Sequence, residues 1–168
     1  MMAPYVNNSH SRQPESLVPT LPIKSDSAFD TEQMIDYLST AKMPLRLASN
    51  GGSGFPLVAS HWFEYRDGSL FLAIHENSKT AALLQENPRC GFEIAADTIP
   101  YRGARGQGVA TLSSAGAAEQ LETLIRRYLG NTESKLAQWL LSRAEAEFIV
   151  RIDPLWITSW DFSKRMSN

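Results

Sequence analysis

Short runs rich in β-forming residues, each bounded by turn residues, fill most of this chain, and helical spacing of apolar residues appears in only a few windows. Residues 45–49, 55–65, 69–74, 89–95 and 102–112 read as strands. Residues 147–152 and 156–162 read as two more, separated by Asp153 and Pro154. Arg66, Asp67 and Gly68 form a hairpin signal, because Asp-Gly supplies the positive φ angles of a tight turn. Asn50 to Gly54 is a flexible turn, and residues 97–101 are a loop. Gly103, Gly106 and Gly108 permit bends or close approach of another group within their strand.

Asp30 or Thr31 can cap a short helix with Met34, Ile35 and Leu38 on one face, ended by Pro44. A second short helix runs over residues 78–86 and stops at Asn87 and Pro88. The strongest helical pattern lies between Ala115 and Leu129, where Leu121, Leu124, Ile125, Tyr128 and Leu129 recur at helical spacing before Gly130. Residues 134–142 form another short helix. Six or seven strands joined mostly by short turns, with helices inserted, predict an α+β chain: a mixed β-barrel with helices, mostly antiparallel. Regular strand–helix alternation is absent, and no glycine fingerprint follows the first strand, which argues against a doubly wound dinucleotide fold.

Residues 1–28 differ from the rest. They carry Pro4, Pro14, Pro19 and Pro22 with many Ser and Asn and no periodic apolar pattern, and read as a disordered or extended tail before a single domain over residues 29–168. Leu17, Val18, Leu21 and Ile23 offer the tail a way to pack along the body. The formal net charge of -2 gives no reason to expect nucleic acid or an anionic membrane as a partner. No apolar run approaches spanning length. The lone Cys90 is expected to be a buried thiol in a strand, which fits a reducing, cytoplasmic setting. His10, His61 and His75 lack partners at ligand spacing, so no metal is expected. No nucleophile-elbow motif appears, and no catalytic acid or base stands out.

One segment does suggest chemistry. Asn77, Ser78, Lys79 and Thr80 fall where a strand ends and a helix begins. A helix start has unpaired N–H groups and a partial positive charge. Two hydroxyls and an ammonium added there make a cradle for a phosphate, against the plainer reading of an N-cap serine and a solvated lysine.

The combination of HWFEY at residues 61–65, the hairpin, NSKTAALLQENPR at 77–89 and YRGARGQGVATL at 101–112 resembles the pyridoxamine 5′-phosphate oxidase-like, FMN-binding split-barrel proteins. The likeness runs over residues 31–166, and the closing SWDFSKRM at 159–166 resembles a flavin-associated subgroup. It implies a homodimer with two FMN sites at the subunit interface. The phosphate role falls on Ser78, Lys79 and Thr80, and the strand Val58, Ala59, Ser60 and His61 runs beside the flavin ring. Arg102 and Arg105 are either a solvated edge or positive charge near the flavin or an anionic substrate. Trp156 and Trp160 share a strand face, for packing or, at Trp160, for stacking near the partner's flavin. Leu57, Leu72 and Ala73 depart from the oxidase pattern, and the C-terminal residues 160–165 do not match its substrate-binding arginine motif.

The expected function is therefore an FMN flavoprotein passing hydride or electrons between a reductant and a small organic molecule, not a vitamin B6 oxidase. A non-catalytic flavin- or haem-binding dimer, and an F420-dependent reductase on the same fold, are the alternatives.

Overall fold

The computed structural model describes residues 21–52 and 54–167. Seven strands form one antiparallel sheet: β1 (Leu45–Asn50), β2 (Pro56–His61), β3 (Glu64–Arg66), β4 (Ser69–His75), β5 (Arg89–Ala95), β6 (Arg102–Ser113) and β7 (Glu147–Asp161). Their order across the sheet is β2-β1-β5-β6-β7-β4-β3. Helix α1 (Thr31–Thr40) precedes β1, α2 (Lys79–Glu86) joins β4 to β5, α3 (Ala117–Leu129) and α4 (Lys135–Leu141) join β6 to β7, and α5 (Ser163–Met166) follows β7.

The two edge strands of this sheet, β2 and β3, are neighbours in sequence, separated only by Trp62 and Phe63. In a flat sheet six strand spacings would hold those edges about 29 Å apart. The chain from His61 to Glu64 reaches at most about 11 Å. The sheet must therefore curl until its edges approach, and the result is a half-barrel whose edges meet through the chain and not through a hydrogen-bonded ladder. The 55–65 strand expected from sequence is thus two strands on opposite edges. Phe63 is fully buried inside the barrel, while Trp62 points outward and stacks on Tyr128 of α3 with ring centroids 5.0 Å apart. The Tyr128 hydroxyl accepts from the Phe63 N–H at 3.2 Å.

Strand alternation fills the interior. Leu45 and Leu47 of β1, Leu70, Leu72 and Ile74 of β4, Phe92 and Ile94 of β5, and Val150 and Ile152 of β7 all turn inward. Met34 and Leu38 of α1 pack into the same core. Asp30 caps α1 through a reciprocal pair with Gln33, so the sequence places this helix start correctly. Helices α3 and α4 instead cover the outer face of β4 and β7, where Leu121, Ile125 and Ala137 make a second, smaller core with Trp62 and Ala73 around it.

Two further expectations change. The last two strands are a single β7, because β6 pairs with it along its length, with a bulge that leaves Leu155 unpaired and exposed opposite the step from Gln107 to Gly108. The segment 21–28, read as tail, lies against β7. The Pro22 and Ile157 backbones and those of Lys24 and Ile157 exchange hydrogen bonds of 2.9 and 2.8 Å, and Leu21 is buried. Leu17 and Val18 fall outside the described residues.

The glycines of β6 mark close approach, as their spacing suggests. A Cβ on Gly106 would meet the Trp156 carbonyl oxygen and lie 2.6 Å from the Phe92 ring. A backbone oxygen in a ladder cannot step aside. Gly106→Ala should therefore cost about 1–3 kcal/mol of stability, measured by urea unfolding; an unchanged midpoint would contradict this packing.

Candidate functional site

The end of β2, the end of β4 and the start of α2 converge on a cavity of about 360 Å³, within the size range of small-molecule pockets. Ser60, His61 and Trp62 come from the link between the sheet edges; Ala73 and His75 come from β4. Ser78 is the N-cap of α2: its backbone is extended and its hydroxyl oxygen accepts from the Ala81 N–H at 3.1 Å. Leu121 and Leu124 of α3 and Leu136 and Leu140 of α4 supply apolar walls. Arg143, from the turn after α4, and Glu147, the first residue of β7, complete the lining.

Burial sets the electrostatics. His61 Nε2 and Arg143 Nε are both buried and neither has a hydrogen-bond partner. Native proteins rarely leave such groups unpaired, so both mark places where an incoming polar atom would find a hydrogen-bonding partner. Burial holds the His61 imidazole below its ordinary pKa, which favours the neutral form. Glu147 is almost fully buried, and burial pushes its carboxyl up; Arg143, with Nη2 at 3.4 Å from Oε1, and the nearby His75 oppose that rise. His75 sits directly across the β4–β7 ladder from Glu147. The Arg143 guanidinium also lies 4.6 Å from the Trp139 ring centroid.

The residues singled out from sequence fall in several places. Ser60, His61 and Ser78 line the cavity. Lys79 and Thr80 follow Ser78 in the first turn of α2, with Lys79 exposed and Thr80 buried. Ala59 faces the barrel side, paired with Leu47, while Val58 faces outward and is 60% exposed. Val58 and Arg105 share another groove of about 340 Å³ on the outer sheet face, with Arg46, Gln107 and Trp156. Trp160 covers Gly103, and the Arg105 guanidinium is 5.5 Å from its ring. Trp156 and Trp160 do share the outer face, and Trp156 Nε1 donates to Gln107 at 3.1 Å. Arg102 sits apart, near Tyr37 at the α1 end.

His75, expected in a loop, ends β4. Cys90 is buried, and burial raises its thiol to about 11, so it is not a ready nucleophile. Among the described residues no three His, Cys, Asp or Glu side chains gather as a cation site, and no helix is long and apolar enough to cross a membrane.

Sequence reading missed Arg143 and Glu147. Arg143 falls between the 134–142 helix and the 147–152 strand and Glu147 opens that strand, and nothing local signals that β7 pairs with β4 and draws them into the cavity wall.

No protein-family model matches the chain, and no curated protein matches it. Solved structures do. A conserved hypothetical protein from Mycobacterium tuberculosis, Rv2991, matches at 23% identity over 84% of this chain and 91% of that one, with a TM-score of 0.70. An F420 reductase matches at 17% identity over 73% and 94% of the two chains, with a TM-score of 0.63. A candidate pyridoxamine 5′-phosphate oxidase from Listeria innocua matches at 15% identity over 80% and 99%, with a TM-score of 0.58. A FAD-binding protein from Mesorhizobium loti and a haem storage protein from Vibrio cholerae are also among the matches, at TM-scores of 0.57 and 0.60. The fold is thus the split barrel of pyridoxamine 5′-phosphate oxidase-like proteins, as the sequence resemblance implied.

The buried imidazole gives a direct test. His61 should titrate below 6.5 in imidazole NMR. Between its folded value and 6.5 the unfolded chain binds more protons. This group's contribution is therefore complete above 6.5 and is lost as pH falls from there toward the folded pKa. A midpoint at or above 6.5 would contradict the burial.

Proposed function

We propose that this chain is a flavin-nucleotide-binding protein, with FMN the expected form, serving a redox reaction on a small organic molecule. The observation that carries the reading is the cavity where β2, β4 and α2 converge, with two buried nitrogens, on His61 and Arg143, that have no protein partner. Its donors, its apolar walls and the adjoining helix start fit a flavin nucleotide. Bound FMN supplies hydride or electron transfer through N5 of its ring.

The protein's part is positioning. The Ser78 hydroxyl and the free N–H groups of the first α2 turn face the phosphate. Lys79 and Thr80 belong to that turn, and the exposed Lys79 ammonium adds a screened attraction. β2 pairs only with β1, so one edge of its backbone over Val58, Ala59, Ser60 and His61 keeps free N–H and C=O groups for the ring edge. Leu121, Leu124, Leu136 and Leu140 exclude water.

The outer sheet face, with Val58, Arg105 and Trp156 along its groove and Leu155 exposed nearby, is the surface a second copy would cover. A homodimer formed there brings Arg105, and with it Trp160, toward the partner's cofactor. Arg102 lies near Tyr37 and receives no cofactor contact in this arrangement. No side chain is assigned as catalytic acid or base, so a binding-only role on the same site differs just in turnover.

Purified protein titrated with FMN should quench flavin fluorescence and show one site per chain; protein that takes up no FMN would overturn the reading. The match to an F420 reductase favours a second cofactor, deazaflavin F420, in the same cavity. Competition between the two, followed by the same quenching, separates these readings: displacement of FMN by lower concentrations of F420 would favour the deazaflavin. Lys79→Ala should weaken FMN binding by only about three- to tenfold, since an exposed charge is screened. A larger loss would mean that the ammonium is desolvated in the complex.

A further inference from the structure

We infer that Arg143 is the cation that holds the cofactor phosphate, acting with the Ser78 start of α2. This rests on the flavin-nucleotide reading above and adds a residue from outside the NSKTAALLQENPR segment that first suggested it.

Three observations meet. Arg143 and Ser78 line the same cavity, though they come from distant parts of the chain. Arg143 Nε is buried and has no acceptor, while the side chain as a whole is 33% exposed and holds Glu147 through Nη2. Ser78 already gives its hydroxyl oxygen to the Ala81 N–H, so its O–H, and the N–H groups of Lys79 and Thr80 in the first helical turn, remain as donors. A phosphate within reach of both sets would accept from the planar guanidinium and from the helix start, a pairing for which arginine is suited.

The charges around Arg143 allow this. Its only salt-bridge partner among the described residues is Glu147, at a long 3.4 Å. The other titratable groups on the cavity wall are His61 and His75. The Glu147 contact uses Nη2, so the Nε and Nη1 donors of the guanidinium are not committed to Glu147. The Trp139 ring, 4.6 Å from the guanidinium, packs on Arg143 without using any of its donors. Lys79, by contrast, is exposed and does not line the cavity, so it reaches a phosphate only from the solvent side.

The test compares FMN with riboflavin, which has the same ring and no phosphate. Two variants are used: Arg143→Met, and Arg143→Met with Glu147→Gln, the second leaving no buried carboxylate unpaired. The expected result is a ten- to hundredfold loss of FMN affinity in both, measured by fluorescence quenching, with riboflavin affinity unchanged. Parallel losses for the two flavins, or no loss for either, would overturn the assignment. Wild-type protein that binds neither flavin sinks the flavin reading instead. Inorganic phosphate then carries the test: thermal stabilisation of the wild type by phosphate, absent in the double variant, supports the anion site, and equal shifts in the two refute it.

Discussion

A two-residue link governs this molecule. Trp62 and Phe63 join the two edges of a seven-stranded sheet, and the sheet can satisfy that link only by rolling up. The link is fixed from both sides. Phe63 is driven inward by burial, and Trp62 is held outward by stacking on Tyr128. The Tyr128 hydroxyl, near the Met43 and Phe63 carbonyls, ties α3 to the same point. Closure through the chain, without a ladder between β2 and β3, is what makes the barrel split.

That manner of closure creates the site. Because β2 ends its pairing at the split, its outer backbone edge is unpaired, and His61 stands at the mouth. β4 ends beside it and turns into α2, whose first turn has N–H groups to offer. The α3–α4 pair packs over the outer face of β4 and β7 and roofs the gap with leucines. The same packing draws Arg143 and Glu147 inward, so the one strongly polar wall of the cavity is also the one most sensitive to what enters it. A cofactor that carries its own chemistry suits such a site, which has donors and apolar walls but no placed nucleophile.

The outer sheet face remains the open side. Gly103 keeps β6 thin there, so that Trp160 can lie on it, while Gly106 makes room on the inner face for the Phe92 ring. Trp156, Gln107 and Arg105 form a flat, partly charged surface with an exposed Val58.

The sequence by itself determined what depends on near neighbours. The Asp30 and Ser78 caps, the Asp67-Gly68 hairpin and the α3 periodicity are set within a few residues and appear where expected. The close approach at Gly106 and the burial of Cys90 were legible for the same reason, and motif order was enough to reach the split-barrel fold. Tertiary structure alone decided the rest. A continuous β-like run at 55–65 gave no local sign that Trp62 and Phe63 would stand between opposite edges of the sheet, because only the order of all seven strands requires it. Asp153 and Pro154 look like a break, yet pairing with β6 carries β7 through them by way of a bulge. Nothing near Arg143 or Glu147 in the sequence marks them as cavity residues; the β4–β7 register sets Glu147 across from His75 and the helices close over the cavity. Caps and turns are fixed by contacts a few residues long, whereas the partial burial of a charge is fixed by strands far apart in sequence, and that is where the candidate site acquired its cation.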